Sequence, residues 1–456
     1  MTHLVDVLAA YVTQTDPHNY DGATLHKMQI HLLDTLGVTI AGSRSTETAR
    51  TLAALSLHKS RRGQAGIWGT ELHTDRRTAA LINGISAHAY ELDDSGGCDH
   101  SGAVVLPAAI AWAEGRSTPV TGMQFLHACI MGYEVGRRVL EACGGYEAHN
   151  EIGWHSTGTC GVFGAATAVS LLQQAKPAEL AQTLGIACSF AGGTWSFIHD
   201  GSQTKKLHAG RAAEGGLMAA QLAQTRLSGP AAVFDADSWG SFWGTFGGPQ
   251  AVPALLTDGF GERWRVNRCS LKPYATCRGS HSGIDAIGEL LNVNALVATD
   301  IATIHIAISA FQYGMCGSTT ITTRAEAQMS LPYAIAARLV YGKVFLAELE
   351  DASWSAPAIG DWLRRTTVQI DEAMAADAEP TISITTHAGQ TYRCTVEHPL
   401  GSPQRPLTEA QVIAKFRDLV APVIPSAQAD ALIDMVGVLP QAHSIQPLIE
   451  SLAGTV

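Results

Sequence analysis

The chain changes pattern at residues 301–308, which read IATIHIAI. Isoleucines and a threonine alternate there with other residues, a pattern typical of a β-strand. Two more strand-like runs, TISITT at 381–386 and TYRCTV at 391–396, flank HAGQ, which we interpret as a hairpin turn. Residues 1–265, by contrast, are rich in Ala, Leu and Gly, with apolar residues at helical spacing. Residues 79–92 are predicted to form one helix that ends at Asp93 and Asp94. Helical periodicity returns after residue 398, where Thr408 with Gln411 three residues on forms a capping-box pattern.

These changes divide the sequence into three parts. We predict a mainly α protein, in which residues 1–265 and 399–456 form one large all-helical domain built from both ends of the chain. Residues 266–398 are predicted to form a smaller, inserted α+β domain that acts as a lid. Small residues dominate residues 210–223, GRAAEGGLMAAQLA, so a helix there is expected to approach its neighbours closely.

Composition limits the function classes. The chain has 456 residues, of which 46% are hydrophobic and 16% charged, so it can bury a large core. A net charge of -11 argues against nucleic acid or an anionic membrane as a partner. No leader and no apolar run of membrane-spanning length is evident, so we expect a cytoplasmic protein. Nine scattered cysteines without a C-x-x-C pair indicate no disulfide framework and no ordinary zinc site, although spacing leaves a cluster of remote cysteines open.

Polar and ionisable residues are concentrated in four segments beside predicted helix ends, a common placement for active sites. They are YELDDSGGCDHSG at 90–102, NEIGWHSTGT at 150–159, TKKLHAGR at 204–211 and LKPYATCRGSH at 271–281. The first offers acid–base groups, the second a helix N-terminus for a carboxylate, and the last two offer cations. The first three also have structural interpretations: a solvated turn, a structural histidine and exposed lysines, respectively.

The residues by themselves favour a cofactor-free enzyme that acts on a small di- or tricarboxylate by proton transfer at carbon. Cations would hold the anionic carboxylates, and a His, Lys or Tyr would move the proton. The sequence contains no Rossmann fingerprint, no P-loop, no nucleophile elbow and no H-E-x-x-H motif.

Six short motifs in a fixed order resemble the MmgE/PrpD family, which includes 2-methylcitrate dehydratase, cis-aconitate decarboxylase and iminodisuccinate epimerase. They are LDTLGVTIAG at 33–42, NG at 83–84 with His88 and the DD pair at 93–94, GWHST at 153–157, KLHAG at 206–210, KPY at 272–274 with His281, and SLPYA at 330–334. The resemblance implies a homodimeric, metal-independent enzyme with its active site between a helical and an inserted α+β domain.

One loop departs from the family pattern. Dehydratases and decarboxylases of the family tend to read HPSGAV where this chain reads DHSGAV at 99–104, so the family histidine falls on Asp99 and the proline on His100. Epimerisation needs no leaving-group acid, only two groups on opposite faces of a carbon. We therefore predict an epimerase of an imino-dicarboxylate such as iminodisuccinate. The alternatives are a 2-methylcitrate dehydratase or cis-aconitate decarboxylase-like lyase, or an inactive carboxylate-binding protein.

The resemblance and the four segments together give the candidate site. Active-site residues of the family correspond to Asp93, His155, Lys206 and His281. The predicted catalytic residues are His155, Lys206, Tyr146, Asp93 and His100. The predicted substrate-binding residues are Asp99, Ser156, Thr157, His208, Lys272, Arg278 and His281. No metal ligand and no cofactor are predicted, and a small anionic carboxylate is the expected partner, besides a second copy of the chain.

Overall fold

The computed structural model describes residues 2–57 and 63–454, and α-helices dominate it. In the described part of the chain before residue 265, the regular structure is helical except for one short antiparallel pair, β1 (Ala65–Gly66) and β2 (His73–Thr74). Its helices are α1 (Leu4–Gln14), α2 (Gly22–Gly42), α3 (Thr46–Ala54), α4 (Arg76–His88), α5 (Ser101–Ala113), α6 (Gly122–Ala142), α7 (Gly145–Glu151), α8 (Ser156–Thr159), α9 (Gly161–Leu172), α10 (Pro177–Ala187) and α11 (Thr204–Gln224). The mainly α fold class is confirmed.

Helix α11 lies in the centre of the helical region and packs against α4, α5, α9 and α10. Its small residues allow the close approach that the sequence predicts. A Cβ atom added at Gly84 of α4 would lie 2.7 Å from the Cα of Gly210, and one added at Gly216 would lie 2.5 Å from the Cβ of Ala165. Larger side chains would force these helices apart and open voids in the core.

The segment after residue 265 contains a four-stranded sheet in the order β4-β3-β5-β6. Strand β3 pairs in parallel with β4 and antiparallel with β5, which in turn forms the predicted hairpin with β6. Its elements are α12 (His281–Val293), β3 (Ile301–Ile308), α13 (Ala310–Cys316), α14 (Arg324–Gln328), α15 (Leu331–Tyr341), α16 (Asp351–Trp354), α17 (Pro357–Arg364), β4 (Thr366–Ile370), β5 (Thr381–Thr386) and β6 (Thr391–Thr395).

Three helices follow: α18 (Glu409–Val420), α19 (Ser426–Gly437) and α20 (Gln446–Glu450). A capping box at Thr408 starts α18 as predicted. This helix returns to the N-terminal part of the chain and packs on α2, where Lys415 forms an ion pair of 2.7 Å with the buried Asp34. The contact agrees with a domain built from both ends of the chain, while the boundaries at 265 and 398 stay predictions.

Two further features concern the sequence interpretation. The predicted helix through Leu92 ends earlier, at His88, because Glu91 adopts a left-handed conformation with φ of 53°. Helices α2, α6 and α11 each have 21 residues, yet within residues 2–57 and 63–454 no helix combines the length and apolar character needed to cross a membrane.

Candidate active site

The loop between α4 and α5 is fixed in place by the buried carboxylate of Asp94. This carboxylate accepts hydrogen bonds from Tyr133 Oη at 2.7 Å and from the Gly102 backbone N–H at 2.9 Å. Its Oδ2 atom also lies 3.0 Å from His31 Nδ1. Asp94 thereby connects the loop to α2, α6 and the start of α5, which holds the neighbouring polar residues in one geometry.

A series of contacts between buried side chains runs through this loop, with histidine and aspartate in alternation. The two carboxylate oxygens of Asp93 lie 2.9 Å from His88 Nδ1 and 3.0 Å from His100 Nδ1. On the other side of the His100 ring, Nε2 lies 3.3 Å from Asp99 Oδ2. Burial opposes ionisation of Asp93, but the charges of His100 and His88 hold its pKa well below the usual range. His100 is thus held between two carboxylates.

His155 approaches the same carboxylate from another part of the chain. Its Nε2 atom lies 3.7 Å from Asp99 Oδ2 and 3.3 Å from Thr157 Oγ1, and its Nδ1 atom lies 2.9 Å from His208 Nδ1. His155 precedes α8, whereas His208 belongs to the second turn of α11. The structure therefore brings three of the four polar segments of the sequence to one place.

His100 and His155 differ in their preferred protonation states. Burial alone would lower the pKa of His100, but the negative charges of Asp99 and Asp93 raise it above its ordinary 6.5. Burial lowers the pKa of His155 well below that value despite its contact with Asp99. The surroundings of His100 therefore favour its imidazolium form, whereas burial favours the neutral form of His155. Paired groups with separated pKa values are typical of a proton donor and a proton acceptor.

Three lysines converge on one buried carboxylate, that of Glu91. Its Oε1 atom lies 2.6 Å from Lys205 Nζ and 2.7 Å from Lys206 Nζ, and its Oε2 atom lies 3.2 Å from Lys272 Nζ. Burial opposes ionisation of Glu91, but the charges of Lys205 and Lys206 hold its pKa well below the usual range. Burial lowers the pKa of Lys206 to about 8. One negative charge faces three cationic groups, so the cluster can accept an anion.

A cavity of about 420 Å³ opens beside both groups. Five of the predicted residues line it: Asp99, His100, Tyr146, Lys272 and Arg278. Burial raises the pKa of the Tyr146 phenol well above its ordinary value, so the phenol is protonated at neutral pH. The size fits a small-molecule ligand, and the lining offers both proton-transfer groups and cations.

The other predicted residues do not line this cavity. Asp93 and His155 lie behind His100 and Asp99, in contact with them. Ser156 is fully buried at the start of α8. His281 faces the Thr276 carbonyl at 3.3 Å and packs edge-on against the ring of Tyr274. These positions favour supporting roles, and for His281 a structural one.

Sequence reasoning missed two residues that the structure places at the centre of the site. Lys205 lines the main cavity and a neighbouring cavity of about 260 Å³, whereas Lys206 lines only the smaller one. The lysines are adjacent in sequence, so only the direction of each side chain on α11 separates them. The sequence did not mark Glu91 as a site residue, because a glutamate in an acidic loop is ordinarily exposed.

Within residues 2–57 and 63–454, three groups of residues are close enough to hold a metal ion. Their potential ligand atoms lie within 4.8 Å of one another in the groups His88, Asp93 and His100; Asp99, His100 and His155; and Cys143, His149 and Cys160. In the first group His88 Nδ1 is hydrogen-bonded to Asp93 at 2.9 Å, and His100 Nδ1 lies 3.0 Å from the other oxygen of Asp93, as in an ion pair. In the third, burial raises the pKa of the Cys160 thiol well above its ordinary value, which favours the protonated form. Metal-independent activity stays a prediction.

A helical scaffold that encloses a polar cavity between acid–base groups and cations has the character of an enzyme site. The MmgE/PrpD N-terminal domain matches residues 6–253, and the MmgE/PrpD C-terminal domain matches residues 274–441. The chain belongs to the MmgE/PrpD family, and it is an enzyme of the lyase or isomerase type found there.

Curated relatives cover most of the chain. The cis-aconitate decarboxylase-like protein oryM of Aspergillus oryzae is 28% identical over 98% of this chain and 96% of its own length. A cis-aconitate decarboxylase of Aspergillus terreus is 29% identical over 82% of this chain and 80% of its own length. The cis-aconitate decarboxylase of Homo sapiens is 26% identical over 93% of this chain and 89% of its own length. These relatives favour the lyase alternative over the predicted iminodisuccinate epimerase.

Proposed function

We propose that the protein is a carbon–carbon lyase that decarboxylates a small unsaturated tricarboxylate, with cis-aconitate as the first substrate to test. The observation that carries this proposal is that His100, held between two carboxylates, lines one cavity together with Lys205 and Lys272. Decarboxylation needs both parts: a proton donor for the carbanion and cations for the carboxylates that remain. The names of the relatives support the choice of reaction.

The reaction balances without a co-reactant. The carboxylate on the CH₂ arm of cis-aconitate leaves as CO₂, and the electron pair of the broken C–C bond enters the adjacent C=C system. The negative charge is then shared with the carbon at the far end of that system and with its carboxylate. One proton added at this carbon gives methylenesuccinate, so one proton is consumed for each CO₂ released.

The residues have separate roles in this proposal. Lys205 and Lys272 hold carboxylates and stabilise the delocalised anion, as they already surround the carboxylate of Glu91. His100 delivers the proton. Asp99 and Asp93 keep His100 in its charged form, and His155 supports Asp99 from behind. This chain reads DHSGAV where the family reads HPSGAV, so in this proposal the proton-donating histidine moves by one residue, from position 99 to position 100. It still lines the cavity.

The test is to incubate the protein with cis-aconitate in D₂O and to follow CO₂ release and the NMR spectrum of the product. We expect one deuterium per product molecule, in the CH₂ group next to a carboxylate. His100→Gln should lower kcat by roughly 10²–10⁴-fold, the usual effect of losing an acid–base group. His305→Gln, which removes a histidine of β3 that pairs with Gln369, is the matched control and should leave kcat unchanged.

Other outcomes identify the alternatives. Inversion of a dicarboxylate with deuterium uptake and no CO₂ release would restore the epimerase interpretation. An alkene formed from 2-methylcitrate would indicate a dehydratase. Thermal stabilisation by carboxylates without any turnover would indicate an inactive binding protein.

A further inference from the structure

A second cationic cluster faces the same cavity and takes no part in the proposed chemistry. Arg137 and Arg268 line the cavity, and both bind the carboxylate of Glu141. Glu141 Oε1 accepts from Arg137 Nε at 3.0 Å and from Arg268 Nη1 at 2.7 Å, and its Oε2 atom accepts from Arg265 Nη2 at 2.9 Å. One carboxylate thus holds three guanidinium groups, as Glu91 holds three ammonium groups.

This second cluster has more positive charge than its central carboxylate balances. The Arg137 side chain is only 10% exposed. The Arg268 side chain is 47% exposed, and the burial of the rest of it, together with the nearby charge of Arg137, lowers its pKa. The two arginines therefore repel each other at the edge of the cavity. An anion bound between the two guanidinium groups would relieve this repulsion.

The other charged residues that line the cavity do not neutralise the excess positive charge of the arginines around Glu141. Arg278 already pairs with Glu379 at 2.7 Å. Glu147 and Asp377 also line the cavity, but neither forms an ion pair with an arginine anywhere in the described residues. Arg278 has a carboxylate of its own, whereas Arg137 and Arg268 share that of Glu141 with Arg265, so their charge is not matched one to one. A guanidinium has five N–H donors, and its fork matches a carboxylate.

We propose that Arg137 and Arg268 form a second anion subsite, which binds a carboxylate of the substrate other than the one held by the lysines around Glu91. The two subsites together fit the polycarboxylate already proposed as substrate, which has anionic groups at two ends of the molecule. The inference rests on the proposed function only in one respect, namely which end of the bound substrate reacts. A monocarboxylate or a half-amide would leave the arginine cluster unsatisfied and bind weakly.

The probe is tricarballylate, a saturated tricarboxylate that lacks the double bond needed for reaction, and its Kd is measured by calorimetry. Arg137→Gln and Arg268→Gln should each raise this Kd roughly 10–100-fold, the effect of losing one hydrogen-bonded charge pair. Both variants should fold, because Glu141 keeps two arginine partners in each. Arg417→Gln, which removes an exposed arginine paired with Asp430, should change the Kd less than about twofold.

A comparison of ligands separates a subsite from a general electrostatic field. Glutaramate lacks the central carboxylate of tricarballylate and has a neutral amide in place of one terminal carboxylate. The two substitutions should therefore change its binding little. Equal losses for tricarballylate and glutaramate, or no loss for tricarballylate, would overturn the proposal. Binding does not require turnover. A protein that shows this selectivity but releases no CO₂ from cis-aconitate would refute the proposed reaction and leave the subsite standing.

Discussion

Asp99 Oδ2 lies 3.3 Å from His100 Nε2. The backbone of Asp99 has a φ of 98°, which belongs to the left-handed region. Few residues other than glycine adopt this conformation, and Asp and Asn do so more readily than most. The backbone turn directs the carboxylate between two histidine rings that come from distant parts of the chain. Strain kept at such a place commonly has a functional reason.

We expect Asp99→Asn to shift the pH dependence of the reaction. Because the charge of Asp99 raises the pKa of His100, its loss should lower that pKa. A reaction that needs protonated His100 loses activity as pH rises through this pKa, so the alkaline limb of kcat/KM should move to lower pH by about one unit. Asn keeps the left-handed conformation accessible.

The measurement is the full pH profile of kcat/KM for both proteins. Asp430→Asn, at an exposed ion pair, serves as the control and should leave the limb in place. An alkaline limb that is unchanged in Asp99→Asn would exclude His100 as the titrating donor.

The two adjacent lysines of α11 should differ in importance. Lys205 lines the main cavity and Lys206 does not, so Lys205→Ala should cost roughly 10²–10⁴ in kcat/KM and Lys206→Ala roughly tenfold. Each variant leaves two lysines on Glu91, and both should therefore remain folded. Steady-state kinetics with thermal melting checks this order, and a larger loss in Lys206→Ala would reverse the assignment.

Glu91→Gln is expected to destabilise the fold as well as to abolish activity. The substitution leaves three buried ammonium groups without their shared counter-charge, a change that costs about 3–5 kcal/mol when a buried partner is removed. The free energy of unfolding in urea is the measurement. Glu409→Gln, at an exposed position of α18, should change this free energy by less than about 0.5 kcal/mol.

Chelation should not reduce activity. The atoms of Asp93 and its neighbouring histidines lie at hydrogen-bond distances, which supports proton transfer rather than metal binding by this group. Dialysis against EDTA followed by metal analysis and assay tests the prediction. Loss of turnover that one added metal restores would contradict it.

The sequence determined most of the architecture because local patterns decide it. Alternation of β-branched residues identified the strand at Ile301–Ile308, and a capping box located the start of α18. Polar segments at helix ends likewise identified the loop of Asp99 and His100, since ionisable residues in an otherwise apolar chain are conspicuous. These signals depend only on neighbours in the sequence.

Only the tertiary structure decided which of these groups meet, and in which protonation state. The side chains of Lys205 and Lys206 diverge by about 100° around a helix, and packing determines which one reaches the cavity. His100 and His155 are the same residue type, yet their pKa values separate because the buried carboxylates surround one ring more closely than the other. Burial and long-range contact set both outcomes, and neither is encoded in any short stretch of sequence.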